Sequence, residues 1–397
     1  MITPRATYRL QLCAETTFHE AADLVPYLTA LGVSHLHLSP CLEARAGSAH
    51  GYDVVDFERP RHELGGAEGL MALFDVARRH GLGILLDFVP NHMAAAPEGP
   101  WWRDVLESGR ASPFASFFDI DWEVASATGG LILPILGDQY GRLLESGEIR
   151  VVRAGADFTV RYADHAFPVA PDTLAEILVP AVERCGSDRL DFAARALGAL
   201  APSDRALTHA RAEERRRDLT LARGLLDEAL TGDASTAAAV DEELARLQGD
   251  PDRLDAFLGR QPYRLAWWRM AERALAYRRF FDIDDLVALR MEDPRVFEAT
   301  HALVIRWLRD GLIDGIRVDH IDGLRDPEAY LHRLRGAWPD GWILVEKILE
   351  PEEPLPATWP VDGTTGYDFL QRLDGLFIDP AGRLPLSDLY AEFTGQQ

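Results

Sequence analysis

Two short segments carry carboxylates at the ends of apolar strands, at positions suited to acid and base chemistry. In residues 314–323 (DGIRVDHIDG), Arg317 and Asp319 are two positions apart, so a strand places them on the same face. We expect the neighbouring guanidinium to lower the pKa of Asp319 and keep it ionised, as a nucleophile requires. In residues 342–350 (WILVEKILE), Glu346 follows a buried run, and an apolar surround is expected to raise its pKa so that it donates a proton. Two carboxylates whose pKa values are shifted in opposite directions indicate glycosidic-bond chemistry.

The elements that must position these carboxylates begin with a regular alternation of strand and helix. The sequence predicts strands over residues 7–12, 33–39 and 82–89, separated by helices over residues 18–31 and 66–80. The strands are apolar almost throughout, which is typical of a parallel sheet buried on both faces.

The alternation stops between about residue 97 and residue 276. Residues 97–164 are rich in aromatic residues and glycine and include a predicted hairpin of residues 148–152 with 158–162. Residues 173–276 are expected to be almost entirely helical. Since strands and helices alternate again afterwards, we interpret this stretch as an insertion, in preference to a separate helical domain.

The later alternation returns to the two carboxylate-bearing strands. The sequence predicts a helix over residues 294–310, a strand over 313–319, a helix over 327–337 and a strand over 342–346, with a sixth strand near residues 366–370.

Polar residues end at least three of the predicted strands, at Asp87, Asp319 and Glu346. A (β/α)8 barrel builds its active site at the carboxyl ends of its strands. An open doubly wound sheet also binds ligands there, but it more often carries a Gly-rich phosphate turn, and neither GxGxxG nor GxxxxGKS/T occurs here. We therefore expect an α/β protein with an incomplete (β/α)8 TIM barrel: residues 1–96 with strands 1–3, residues 97–276 as the inserted domain, and residues 277–397 with strands 4 to about 6.

Composition restricts the class of partner. The formal net charge of −23 argues against nucleic acid, because phosphate binding needs clustered Lys and Arg. The N-terminal residues contain no apolar signal region, and no stretch approaches the roughly 18 apolar residues that span a bilayer. Three widely spaced cysteines fit a reducing compartment and give neither a disulfide framework nor a metal site. We expect a cytoplasmic protein without membrane contact or cofactor.

Four segments in order resemble the alpha-amylase family of glycoside hydrolases. DFVPNH (87–92), GIRVDHID (315–322) and ILVEKI (343–348) resemble the first three signature regions of that family, and HGYDVVDF (50–57) resembles the loop before them. One such match would carry little weight, because short strands that end in Asp are common. Four in order, with an insertion after the third strand, indicate membership of this family.

Further segments resemble one branch of the family, the maltooligosyl trehalose synthases. These segments are TYRLQL (7–12), SPCLEARAGSAHGYDVVD (39–56), YRRFFDIDDLVALRMED (277–293) and WPVDGTTGYDF (359–369), and the last two are not shared by ordinary amylases. The resemblance extends over nearly the whole chain.

The resemblance implies roles for the two carboxylates and their neighbours. Asp319 aligns with the nucleophile and Glu346 with the general acid and base, and retention of configuration would place their carboxyl groups about 5 to 5.5 Å apart. Arg317 is expected to hold Asp319 ionised, and Asp87 to hold Arg317. A purely structural ion-pair network is the alternative for Asp87.

The resemblance also implies contacts with the sugar at the cleavage position. His92 aligns with a histidine that hydrogen-bonds this sugar, and Tyr52 aligns with the aromatic platform beneath it; a core position is the alternative for each. Asn91 occupies the place of a calcium ligand in many amylases, but the six to eight oxygens that calcium needs cannot be assembled here, so we predict no metal. Several other residues receive no role: Trp101, Trp102, Trp267 and Trp268, which could line distant sugar sites or the core, and His320, Lys347 and Asp362, which flank the site.

By resemblance, the expected reaction converts the reducing-end α-1,4 bond of a maltooligosaccharide into an α,α-1,1 bond by a retaining double displacement. The alternatives are an α-glucan hydrolase, a 4-α-glucanotransferase or a non-catalytic carbohydrate-binding protein. A maltooligosyl trehalose trehalohydrolase is implied as a functional partner. The third carboxylate of the family, an Asp near the seventh strand, is not found in these 397 residues. The last barrel strands and the family's C-terminal β-domain are also missing, so we expect a fragment with little or no turnover by itself.

Overall fold

The computed structural model describes residues 4–396, and its centre is a six-stranded parallel sheet. The spatial order of the strands equals their order in the chain, and every neighbouring pair is parallel. The strands are β1 Thr7–Leu10, β2 His35–Leu38, β3 Gly83–Phe88, β4 Gly315–Val318, β5 Trp342–Val345 and β6 Gly363–Thr364. Within the described residues β1 and β6 form the two edges, so the sheet is an incomplete (β/α)8 barrel and the predicted fold class is confirmed.

Helices connect or follow these strands. They are α1 Phe18–Leu31, α2 Gly66–Arg79, α3 Pro294–Arg309, α4 Pro327–Ala337, α5 Tyr367–Gly375 and α6 Arg383–Thr394. In α1 the ends follow from local chemistry, because Thr17 and Glu20 form a capping box and Gly32, at φ 92°, closes the helix.

The register of the sheet brings the carboxylate-bearing residues to one edge. Arg317 of β4 lies opposite Asp87 of β3, so their side chains point to the same face. The hydrogen bonds of the sheet extend one residue beyond the ends of β4 and β5. Asp319 N donates to Phe88 O and Glu346 N donates to Val318 O, both at 2.8 Å. Asp87, Asp319 and Glu346 therefore meet at the carboxyl ends of three adjacent strands.

A large insertion lies between β3 and α3. It contains an antiparallel sheet of Arg150–Ala154, Asp157–Tyr162 and His165–Pro168, and a parallel pair of Leu131–Leu136 with Tyr263–Trp267. Its helices are Pro100–Ser108, Trp122–Ala127, Tyr140–Glu145, Ala175–Cys185, Asp188–Gly198, His209–Gly232, Ala234–Gln248, Pro251–Leu258 and Ala271–Ala274. The insertion and the barrel share one hydrophobic core, in which Trp101 stacks on Phe57.

Short strands also form around the mouth of the barrel. Leu42–Ala44 pairs with Val54–Pro60, and His92–Ala94 joins Ile283–Ala288 and Arg279–Phe280 in a small antiparallel sheet.

Two predictions of secondary structure are wrong. Residues 366–370, predicted as a strand, begin helix α5, because Gly366 turns the chain at φ 90° and Thr364 Oγ1 donates to Asp368 Oδ1 in the first turn. The sixth strand lies just before this helix, at Gly363–Thr364. The stretch predicted to be almost wholly helical contains the strand Tyr263–Trp267, which is stabilised by pairing with residues about 130 positions away.

The last two helices present apolar side chains to solvent. No residue of α5 or α6 is buried, although both helices contain several Leu, Phe and Tyr residues. Among the helices of residues 4–396, none combines the length and the hydropathy needed to cross a membrane.

Candidate active site

Arg317 is the centre of the candidate site, because its guanidinium contacts three carboxylates. Its Nη1 lies 2.6 Å from Asp87 Oδ1 and 2.7 Å from Asp319 Oδ1, and its Nη2 lies 2.9 Å from Glu346 Oε1. Burial lowers the pKa of Arg317, but the three carboxylates outweigh burial and raise it overall. The predicted pairing of Arg317 with Asp319 and Asp87 is present in the structure, whereas the predicted spacing of the two reacting carboxyl groups stays a prediction.

The expected direction of the Asp319 pKa is wrong. Burial, followed by the charges of Asp87 and Glu346, raises the pKa of Asp319 to about 7, although Arg317 acts in the opposite direction. The sequence shows the adjacent cation, but it does not show that two further carboxylates converge on the same cation. Near pH 7 the Asp319 carboxyl is therefore partly protonated.

The expected direction of the Glu346 pKa is wrong as well. Burial raises the pKa of Glu346, but Arg317, the backbone N–H of His320 and the side chains of Asp319 and Tyr367 together lower it. The His320 N–H donates to Oε2 at 2.9 Å and the Tyr367 hydroxyl to Oε1 at 3.3 Å. Glu346 thus lies in a polar site, not in the apolar surround that the preceding run of residues suggested.

Asp87 connects the guanidinium to Tyr52. The Tyr52 hydroxyl donates to Asp87 Oδ2 at 2.6 Å and accepts from Arg9 Nη2 at 2.7 Å. Arg9 also lies 3.4 Å from Asp87 Oδ2. These contacts fix the ring of Tyr52 beside the carboxylates, where a platform for a sugar is expected, and they also fit the alternative of a structural network for Asp87.

His92 lies on the short strand that follows β3, in contact with an aromatic residue of the later chain. It is buried, its ring centroid lies 4.6 Å from that of Phe280, and its Nε2 has no hydrogen-bond partner within residues 4–396. Burial lowers the pKa of His92 to about 3, so the imidazole is neutral. A neutral imidazole with one free nitrogen is able to accept or donate a hydrogen bond to a sugar hydroxyl.

Asn91 is engaged by a cation of the protein. Arg278 Nη1 donates to Asn91 Oδ1 at 3.1 Å and to Gly323 O at 2.7 Å, and Arg278 Nε pairs with Asp119 at 2.8 Å. A guanidinium at this position opposes the binding of a metal cation to Asn91. The predicted absence of a metal stays a prediction.

The residues that received no role divide into core, surface and site. Trp101 and Trp102 are buried among aromatic rings, whereas Trp268 is exposed and both Trp267 and Trp268 lie under Arg269. Lys347 pairs with Asp322 and Glu353, and Asp362 pairs with Arg335. Of these seven residues, His320 reaches a predicted reacting group, because its backbone N–H donates to Glu346.

Sequence reasoning missed three participants. The sequence feature that could have pointed to Arg9 was its place in TYRLQL, the segment that forms β1. Tyr367 was hidden by the wrong strand prediction for residues 366–370. Phe280 belongs to the segment 277–293. That segment contributed to the resemblance, but the resemblance implied no role for any residue in it.

Comparison with known proteins connects this geometry to a family. The family described as alpha amylase, catalytic domain, matches residues 21–130. A protein of Mycobacterium tuberculosis assigned as a maltooligosyl trehalose synthase is 38% identical over 392 residues, which is 97% of this chain and 40% of that protein.

Solved structures give the same result. The maltooligosyltrehalose synthase of Arthrobacter ramosus superposes with a TM-score of 0.72 at 38% identity, over 99% of this chain and 41% of that chain. A structure described as DSM5389 glycosyltrehalose synthase superposes with a TM-score of 0.73 at 32% identity, over 99% of this chain and 44% of that one.

These relatives share the fold and align with nearly the whole of this chain, while the chain spans about 40% of their length. Residues 21–130 match the catalytic domain of the alpha-amylase family, and the maltooligosyl trehalose synthases are homologues of nearly the whole chain.

Proposed function

We propose that this chain supplies the nucleophile and the general acid and base of an intramolecular transglycosylase that acts on maltooligosaccharides, a (1→4)-α-D-glucan 1-α-D-glucosylmutase. The observation that carries the proposal is Arg317, whose guanidinium holds Asp87, Asp319 and Glu346 together at the carboxyl ends of three adjacent barrel strands. A retaining reaction needs two carboxyl groups on opposite sides of one bond, held by fixed partners.

In the first displacement, Glu346 gives its proton to the glycosidic oxygen of the reducing-end glucose. The bond from the anomeric carbon C1 to that oxygen breaks, and an Asp319 oxygen bonds to C1. In the second displacement, the anomeric hydroxyl of the released glucose attacks C1, the bond to Asp319 breaks, and Glu346 takes the hydroxyl proton. The product is an isomer of the substrate, and no water is consumed.

The proton that this sequence of steps needs favours Asp319 over Glu346 before the sugar binds, because the pKa of Asp319 is raised and that of Glu346 is lowered. Glu346 is the more exposed of the pair, with 23% of its side chain accessible against 7% for Asp319. A sugar that covers Glu346 removes more water from it than from Asp319, so its pKa rises relative to that of Asp319. Substrate binding then moves the proton to the group that acts as the acid.

His92 and Tyr52 contact the sugar whose C1 reacts, the first by a hydrogen bond and the second by its ring. Arg317 and Asp87 position the nucleophile. A maltooligosyl trehalose trehalohydrolase, or an enzyme of the same specificity, consumes the product in the cell.

The test uses the protein at its natural length with maltopentaose. Reducing ends should disappear without a matching rise in free glucose, because isomerisation hides both anomeric carbons in the new bond. Glu346→Gln and Asp319→Asn should each abolish this loss. Free glucose as the main product would favour the hydrolase alternative and refute the proposal.

A further inference from the structure

Phe281 is an exposed aromatic residue in a strained backbone conformation at the barrel mouth. Its φ is +50°, in the left-handed region that residues other than glycine rarely adopt, and 72% of the residue is exposed. Such a conformation is energetically unfavourable for a residue with a side chain, and an exposed ring recovers little of that cost through burial. Strain that packing does not explain is a reason to look for a ligand.

The ring of Phe281 is the outermost of a contiguous group of four rings. Its centroid lies 4.6 Å from that of Phe280 and 5.2 Å from that of His320, and Phe280 in turn lies 4.6 Å from both His320 and His92. Three separate segments of the chain contribute to this group. It begins at the buried His92 and ends in solvent at Phe281.

The ring group lies beside the proton donor of the proposed reaction. His320 is itself in the left-handed region, at φ 47°, and in this conformation its backbone N–H donates to Glu346 Oε2 at 2.9 Å. The face of an aromatic ring packs well against the C–H face of a pyranose, and the neighbouring His320 imidazole offers a polar partner for hydroxyl groups.

We propose that Phe281 binds the glucose unit on the leaving side of the scissile bond and retains it while it turns. This inference rests on the proposed function and adds a residue that determines which of two products the reaction gives. After Glu346 has protonated the glycosidic oxygen, the neutral glucose either stays and attacks C1 through its anomeric hydroxyl, or leaves and is replaced by water. Retention gives the α,α-1,1 product, and escape gives hydrolysis, so contact with Phe281 sets the ratio between the two products.

The test compares Phe281→Gly, Phe281→Trp and wild type in the protein at its natural length, with maltopentaose as substrate. Glycine suits the positive φ, so the fold should persist while the ring is removed. Phe281→Gly should raise the ratio of free glucose to trehalosyl product about two- to tenfold, the range that corresponds to one lost aromatic contact. Phe281→Trp, which keeps a flat ring, should stay near the wild-type ratio.

Phe192→Ala is the matched control, since Phe192 is an exposed aromatic residue on a helix of the insertion. Its product ratio should equal that of the wild type. An unchanged ratio in Phe281→Gly, while the wild type isomerises, overturns this inference alone. A lowered melting temperature and equal loss of both products would identify Phe281 as a packing residue and also overturn it. If the wild type yields only free glucose, the proposed function is overturned, and so is the retention of glucose by Phe281.

Discussion

At the scale of single residues, the balance of charge around Arg317 explains why the pKa of Asp319 is raised. Three carboxylates, at Asp87, Asp319 and Glu346, face two guanidinium groups, because Arg9 lies 3.4 Å from Asp87. One negative charge remains uncompensated, and Asp319 is the most disfavoured place for it. Asp319 is deeply buried and has one guanidinium contact, whereas Glu346 also accepts a backbone N–H.

This excess charge predicts a pH-dependent effect of Asp319→Asn on stability. The pKa of Asp319 is raised to about 7, above its ordinary value of 3.8, so the folded state binds a proton that the unfolded state releases between these values. The stability that this proton provides is complete below about pH 4 and is lost as the pH rises through about 7. Asparagine cannot ionise, so the variant should gain stability relative to wild type with rising pH, by about 1 to 3 kcal/mol.

Urea denaturation of wild type and variant at about pH 5 and about pH 8 measures this difference. Asp326→Asn, which makes the same substitution at a helix cap on the surface, serves as the control for effects that arise outside the site. An equal effect of Asp319→Asn at both pH values would show that Asp319 is ionised throughout.

At the scale of elements, the long and self-consistent segments were the predictable ones. In each of strands β1 to β5 and helices α1 to α4, the apolar residues follow the pattern of a single type of secondary structure. The predicted positions of these elements agree with the structure to within a few residues. The short strands around the mouth, such as His92–Ala94, have no such pattern, because pairing with Ile283–Ala288 and not local sequence makes them strands.

The contacts of the candidate site likewise divide into local ones, which were predictable, and non-local ones, which were not. The pairing of Arg317 with Asp319 follows from spacing within one strand, and it was predicted. The contact of Glu346 with the same guanidinium depends on the alignment of neighbouring strands, and the left-handed backbone of His320 depends on its surroundings. Both pKa directions were wrong because they depend on these non-local contacts.

The short turn after β4 permits a sharp test of how this element positions Glu346. A methyl group added to Gly323 would lie 2.2 Å from His320 Cδ2 and 2.7 Å from Asn91 Oδ1. The His320 ring is already packed against Phe280, so the turn itself must shift. Gly323→Ala should destabilise the protein by about 1 to 3 kcal/mol and reduce kcat, because the His320 N–H moves away from Glu346.

Gly336→Ala is the matched control, because Gly336 lies in helix α4 with no atom within 4 Å of the added methyl group. It should be neutral or stabilising by up to about 1 kcal/mol. Thermal unfolding and initial rates on both variants separate the two cases. Equal behaviour of the two glycine variants would show that the turn accommodates a methyl group and does not constrain His320.

At the scale of the whole molecule, the burial of apolar side chains differs between regions. Barrel and insertion are joined by one continuous core, with Trp101 of the insertion stacked on Phe57 of the barrel mouth. By contrast, helices α5 and α6 at the β6 edge have no buried residue. A surface of clustered apolar side chains at a sheet edge is typical of a region that associates with other protein surfaces.

This surface predicts that the 397 residues, expressed alone, self-associate. Leu376 and Phe377, directly after α5, and Phe393 in α6 are 79%, 84% and 89% exposed, and their burial between copies would remove apolar area from water. Sedimentation velocity at increasing concentration should show dimers or larger species, and a double change of Phe377→Ser and Phe393→Ser should shift the distribution toward monomer. Phe192→Ser, which removes an exposed aromatic residue far along the chain in the insertion, should leave the distribution unchanged. A monomer at all concentrations would contradict the prediction.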